Sequence, residues 1–302
     1  MPSEYYLNGE PLSAFGFVPG HATGSNLALS GAWDMPARSG DTSYTWQETN
    51  GIEPYVEEAD MLFEARTIKL VGSISASDRT VFWNRLEAFR AFVESLPATF
   101  ELRCDWAVRT VSRSAEMKAD IRGGRVARIT LSFTEPAPDL SGRPPVQWIL
   151  ATGVWNTLGT WLDEAPWYAV EEGRAVEPQI DLWSWESFGF IPSGMTGEGV
   201  VPTVRSLRVT QPARGATIVA PGGREARELT LAGVLVADDM SDFDRRVRSL
   251  YWLFGSAGLR TLHRHGREID CFARNGFTLT GIQKRERIYA KLNVKLTEVE
   301  HG

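Results

Sequence analysis

The sequence predicts an α+β fold that is mostly β: two tandem β-sandwich modules, each with one packed amphipathic helix and a β-hairpin. Three observations predict it. The chain repeats itself in three blocks of unchanged order, runs of period two dominate both copies, and each copy holds one strong run of helical period. A single helix laid against the open face of a sheet accounts for that proportion of elements.

In the first block, residues 14–20 (AFGFVPG) return at 187–194 (SFGFIPSG), so that Phe15-Gly16-Phe17 faces Phe188-Gly189-Phe190 and Pro19 faces Pro192. In the second, residues 65–95 lie over 226–256 with no gap and nine identical pairs, including Arg66/Arg227, Gly72/Gly233, Asp78/Asp239, Phe82/Phe243 and Arg85/Arg246. Ordinary residue frequencies would give about two matches over that length. In the third, 127–135 (ARITLSFTE) answers 290–298 (AKLNVKLTE). The expected organisation is one module over 1–140, a Trp-rich connecting segment over 141–176 and a second module over 177–302. The Pro-rich run at 137–145 marks the boundary, because each proline fixes φ and removes a donor.

Within a module, Ile68, Leu70 and Ile74 alternate with polar residues, and Leu229, Leu231, Val234 and Val236 nearly do the same, so each set predicts a half-buried strand. Ser77-Asp78 and Asp238-Asp239 then supply N-caps for a helix. The apolar stripe Phe82, Leu86, Phe89, Val93 is matched by Phe243, Val247, Leu250, Phe254, with Pro97 and Gly255 as stop signals. Gly123-Gly124 predicts a hairpin turn between Ile121 and the alternating Ile129, Leu131 and Phe133. The second copy keeps the strand of Leu292, Val294 and Leu296 but turns through 284–287.

These pieces together, an FGF-type opening, a strand of the ARTIKLVGSI type, a capped helix and a closing hairpin ending in ITLSFTE, resemble the N-terminal domain of siphophage distal tail (Dit) proteins, a domain similar in fold to tail-tube proteins. The resemblance implies an architectural, non-enzymatic role: a ring at the virion tail tip, stacked between the tail tube protein and the tail hub or spike and tape-measure proteins. It also implies self-association, as a hexamer ring or, because the module is doubled here, as a trimer of pseudo-sixfold form. The other reading is a tandem β-sandwich carbohydrate-binding adhesin that uses the Trp-rich segment.

Bulk properties limit the alternatives. With 43% hydrophobic and 23% charged residues the chain is expected to fold rather than stay disordered. Its net charge of -6 and scattered Lys and Arg argue against a nucleic-acid surface, and no apolar run approaches the roughly 18 residues of a membrane helix. The first residues lack the pattern of a signal peptide, so synthesis and retention in a host cytoplasm until assembly are expected. Cys104 and Cys271, with no CxxC spacing, predict buried thiols, with one long-range disulfide as the alternative.

Few residues invite a chemical reading. His263 and His265 fall on one face of an expected strand but lack a third ligand nearby in sequence. Of the acidic clusters, Glu57, Glu58 and Asp60 lie in a loop, while Asp238, Asp239 and Asp242 sit at a helix start, where capping explains them. Neither catalytic residues, metal nor cofactor are expected. Six of eleven tryptophans fall at 148, 155, 161, 167, 183 and 185, and packing or an inter-subunit contact is their expected use. The offset between copies falls from 173 at Phe15/Phe188 to 161 at Arg66/Arg227, which assigns about a dozen extra residues to the loop at 38–60. Candidate interface residues are therefore Tyr44, Trp46 and Tyr55 in that loop, and Trp155, Trp161 and Trp167 in the connecting segment.

Overall fold

The computed structural model describes residues 4–40, 43–46, 49–54, 61–145, 179–181, 183–210, 218–264 and 266–299. In the first copy β1 (Tyr5–Leu7) turns through Asn8-Gly9, both at positive φ, into β2 (Glu10–Pro11), the tight hairpin that an Asn-Gly pair favours. A 3-10 turn over Leu12–Phe15 ends at Gly16 in the left-handed region and delivers Phe17 to β3 (Phe17–Pro19). Two short strands follow, β4 (Leu29–Ser30) and then the small hairpin of β5 (Ser43–Tyr44) with β6 (Glu53–Pro54).

The central strand β7 (Arg66–Ser75) buries Ile68, Leu70 and Ile74, as its alternation predicts. Asp78 accepts hydrogen bonds from the amides of Thr80 and Val81 and so opens α1 (Arg79–Ser95), which buries Phe82, Leu86, Phe89 and Val93. The chain returns through β8 (Phe100–Cys104), β9 (Ala107–Arg113), β10 (Lys118–Arg122) and β11 (Val126–Glu135). The sheet order is β2-β1-β8-β9-β11-β7-β3, with β4 also on β7 and β10 also on β11. One edge of β11 pairs with β7 along its whole length while the other divides between β10 and β9, so the sheet branches and curls into a half-barrel.

The second copy runs through β12 (Gln179–Ile180), β13 (Trp183–Ser184), a 3-10 turn over Trp185–Phe188, β14 (Phe190–Thr196), the hairpin β15 (Val204–Thr210) with β16 (Ile218–Arg224), and β17 (Glu228–Ala237). It continues with α2 (Met240–Gly255), β18 (Arg260–Arg264), β19 (Arg267–Phe272), β20 (Phe277–Lys284) and β21 (Ile288–Glu298). Its order, β13-β12-β18-β19-β21-β17-β14 with β20 on β21, matches the first. The repeated Phe-Gly-Phe and the glycine of the central strand form one contact. A Cβ on Gly72 would come within 2.1 Å of the Phe17 ring, and one on Gly233 within 2.5 Å of Phe190.

Two expectations are corrected. Val234 and Val236 do not face the core: β17 pairs with β21 without a bulge from Glu228 to Ala237, and strict alternation puts Leu229, Leu231, Leu235 and Ala237 inward. The extra residues of the first copy are also not confined to 38–60. Leu29 sits opposite Leu70 as Met195 sits opposite Leu231, so the offset has already fallen from 173 to 166 by that point. Seven of the extra residues therefore lie between β3 and β4, in a loop that reaches the other module.

Candidate functional site

The two modules share one continuous hydrophobic core, and the seam between them is the most elaborated polar and apolar site among the described residues. From the first module comes an arm after β4. Met35 exchanges backbone hydrogen bonds with Phe277 at 2.9 and 3.2 Å, extending the sheet of the second module beyond β20. Asp34 accepts from the amide of Leu279, and Trp33 packs edge-to-face on Phe243. The loop between β3 and β4 continues the edge. Ser25 Oγ donates to the Ile282 carbonyl, Asn26 exchanges bonds with Lys284, and the Gly24 carbonyl accepts from Gln283.

Two arginines lock the arm. Arg38 is buried and donates to the carbonyls of Ala273, Phe254 and Ser256 while lying over the Phe272 ring. Two of those carbonyls are at the C-terminal end of α2, where the helix dipole favours a cation. Burial, with the charge of Arg260, brings the Arg38 guanidinium down to about 10. Arg66 holds Glu135 through two bonds of 2.8 and 2.6 Å and reaches the Asp34 carbonyl. The same Nη1 that reaches Asp34 also donates to the Tyr251 hydroxyl, which in turn donates to the Trp33 carbonyl. Desolvation pushes the Tyr251 phenol up to about 12, so it is neutral in this network.

The surfaces that meet are different parts of the module. The first module presents residues 24–38, of which the turn at 31–36 corresponds to 197–202 after β14; the second presents α2, β20 and their neighbours, whose counterparts are α1 and β10. The contact is therefore head to tail rather than twofold. A second contact joins the small hairpins: Arg205 donates to the carbonyls of Trp46, Thr49 and Gly51, and Asn50 pairs with the Arg224 amide.

Of the candidate interface residues, Tyr44 and Trp46 lie on this first hairpin as a half-exposed aromatic pair with ring centroids 4.6 Å apart. Tyr55, Trp155, Trp161 and Trp167 lie outside the described residues, as do Glu57, Glu58, Asp60 and His265. Trp183 and Trp185 are packed within the second module, against Trp252 and Phe190 respectively. Asp239 caps α2, Asp242 binds Arg245 and Arg246, and Asp238 pairs with Arg287. His263 lies 3.6 Å from Glu268. Among the described residues no three His, Cys, Asp or Glu side chains gather as a metal site, and no helix is long and apolar enough to cross a membrane. Cys104 and Cys271 are free and buried, and burial pushes their thiols up to about 11 and about 12.

Sequence reasoning missed Trp33, Met35, Arg38 and Tyr251. A signal for the arm exists: residues 31–36 (GAWDMP) recur as 197–202 (GEGVVP), sharing the first glycine and the last proline. The turn is the same in both, with Asp34 N on the Gly31 carbonyl and Val200 N on that of Gly197.

The fold and seam define a class, the tandem head-to-tail duplication of one curled-sheet module. No family model and no curated protein matches the chain. A crystal structure of the SPP1 Dit protein, presented as a paradigm of hub adsorption apparatus in Gram-positive infecting phages, is similar over 99% of both chains, with 11% identity and a TM-score of 0.29. A likeness that shallow carries no argument.

Proposed function

We propose that this chain is a structural virion protein, a distal tail or baseplate ring that joins a tail tube to the tail-tip hub or receptor-binding apparatus. One observation carries the reading: two copies of a module are already joined head to tail within the chain. A heterologous contact is never used up by one pair, so repetition gives a closed ring where the rotation closes. The resemblance of the FGF-type opening, central strand, capped helix and closing hairpin to the distal tail family supplies the identity of the ring. Three chains would give six modules; six chains would give two layers of six. The host cytoplasm is the place of assembly and the tail tip the final location, with tube, hub or spike, and tape-measure proteins as neighbours. Architecture rather than catalysis fits the acidic cluster at the start of α2, where Asp239 caps the helix and Asp238 and Asp242 form ion pairs. The test is electron microscopy and native mass spectrometry of the purified chain. Closed rings of three or six are expected, and a protein monomeric at every concentration would exclude the reading.

A further inference from the structure

The arm of the first module is seated on the second, but the equivalent arm of the second module is seated on nothing among the described residues. Met35 is 2% exposed against Phe277, whereas its counterpart Val201 is 75% exposed and the preceding Val200 is 58% exposed. The seat is duplicated too. Extending the β10 register by one residue puts Met117 opposite Leu131, as Phe277 is opposite Val294, and Met117 is half-buried against the core. The residues around it, 113–116 and Lys118, are exposed, and the edge of β10 away from β11 carries no strand among the described residues.

The space beside the second arm repeats the comparison. At Arg66 and Glu135 it is filled by Tyr251. At Arg227 and Glu298, which form the same ion pair, it is a cleft of about 180 Å³ bordered by Val200, Val201, Pro202, Arg224 and Glu225. The residue at the Tyr251 position on the first helix is Arg90, half-buried on the outward side of α1 and paired there with Glu87, a pair the contact would exchange. The cleft holds Arg224 and Arg227 as well as two carboxylates, and with Glu298 bound to Arg227 a guanidinium would pair at its Glu225 side, where the intrachain seam uses a phenol against Arg66.

We propose that the partner of this open surface is a second copy of the chain. The arm at 200–202 of one copy lies along the Met117 end of β10 in the next, with Arg90 of that next copy reaching Glu225 at the cleft, repeating the intrachain seam between chains. This rests on the ring reading above and specifies the surface that builds it.

The test uses the full chain with two substitutions, Val201→Cys and Met117→Cys; the native thiols are buried and do not compete. Mixing the two single variants under mild oxidation is expected to give a cross-linked heterodimer that neither gives alone, and the double variant a ladder ending in a closed trimer or hexamer. A third variant, Val201→Asp, is expected to raise the concentration needed for assembly by about tenfold or more, as loss of a central apolar contact does. Below the assembly concentration its circular dichroism and melting temperature should match the wild type, because the site is open in the monomer. Cross-linking of Val201→Cys with itself would mean a twofold contact and overturn the proposal. Rings that persist in Val201→Asp, without cross-links in the mixed sample, would overturn this interface yet leave the ring reading standing. A wild-type chain that neither assembles nor cross-links would remove both.

Discussion

Arg66 and Arg227 occupy the same place in the two copies, each bound to the carboxylate that closes its module, Glu135 or Glu298. The surroundings set them apart. The side chains of Arg66 and Glu135 are 1% and 5% exposed, those of Arg227 and Glu298 25% and 18%. Removing one partner of a sealed pair strands a charge away from water, so Glu135→Ala is expected to cost about 3 kcal/mol or more in chemical denaturation. Solvent screens the second pair, and Glu298→Ala is expected to cost about 1 kcal/mol or less in the isolated chain. Equal losses at the two positions would contradict the difference in sealing. The identity of both arginines is visible in the aligned repeat. Their unequal burial is not, because the group that seals Arg66, Tyr251, lies 185 residues away in the other copy.

The helices show the same asymmetry at the level of the element. Their inward stripes were legible to the residue, because the core face of an amphipathic helix follows from periodicity alone. The stripe does not extend to Tyr251, which α2 also buries, since that position is covered by Arg66 and Trp33 of the neighbouring module rather than by the helix's own sheet. The misplaced Val234 and Val236 have a related origin: in β17 nearly every position is apolar, so the sequence there does not mark which set of alternate residues faces inward. Tyr251→Phe is expected to cost about 1–3 kcal/mol by leaving the Trp33 carbonyl and an Arg66 N–H unpaired. Arg90→Ala, at the same helix position in the other copy, should stay within about 0.5 kcal/mol for the unassembled chain. The pH profile supplies a sign check. With its phenol raised from 10.0 to about 12, Tyr251 contributes its full stabilisation below pH 10 and loses it as pH rises through 12. Urea denaturation from pH 8 to 12 should show a steeper alkaline decline in wild type than in Tyr251→Phe.

For the whole molecule, the repeat predicts two separate domains, and two domains with separate cores ordinarily unfold in separate steps. The seam argues otherwise. Its contacts are those of a domain interior: Met35 is inserted beside Phe277, Trp33 beside Phe243, and the edge of β20 is completed by backbone bonds from the other copy. Losing one module would expose Tyr251, Phe254 and Phe277, an aromatic group under the arm in which Tyr251 stacks on Phe277 and Phe254 meets it edge-on. The expected outcome in calorimetry is therefore one cooperative transition for the wild-type chain. Met35→Asp puts a carboxylate at the buried centre of the seam and should split that transition in two, the second module melting first because its apolar face is uncovered. Val201→Asp is the internal control, since it makes the same kind of change at the equivalent position of the other arm, where the side chain is open. Two transitions in the wild type, or one unshifted transition in Met35→Asp, would mean that the modules are docked loosely and that the intrachain seam is too weak to serve as the template for a ring.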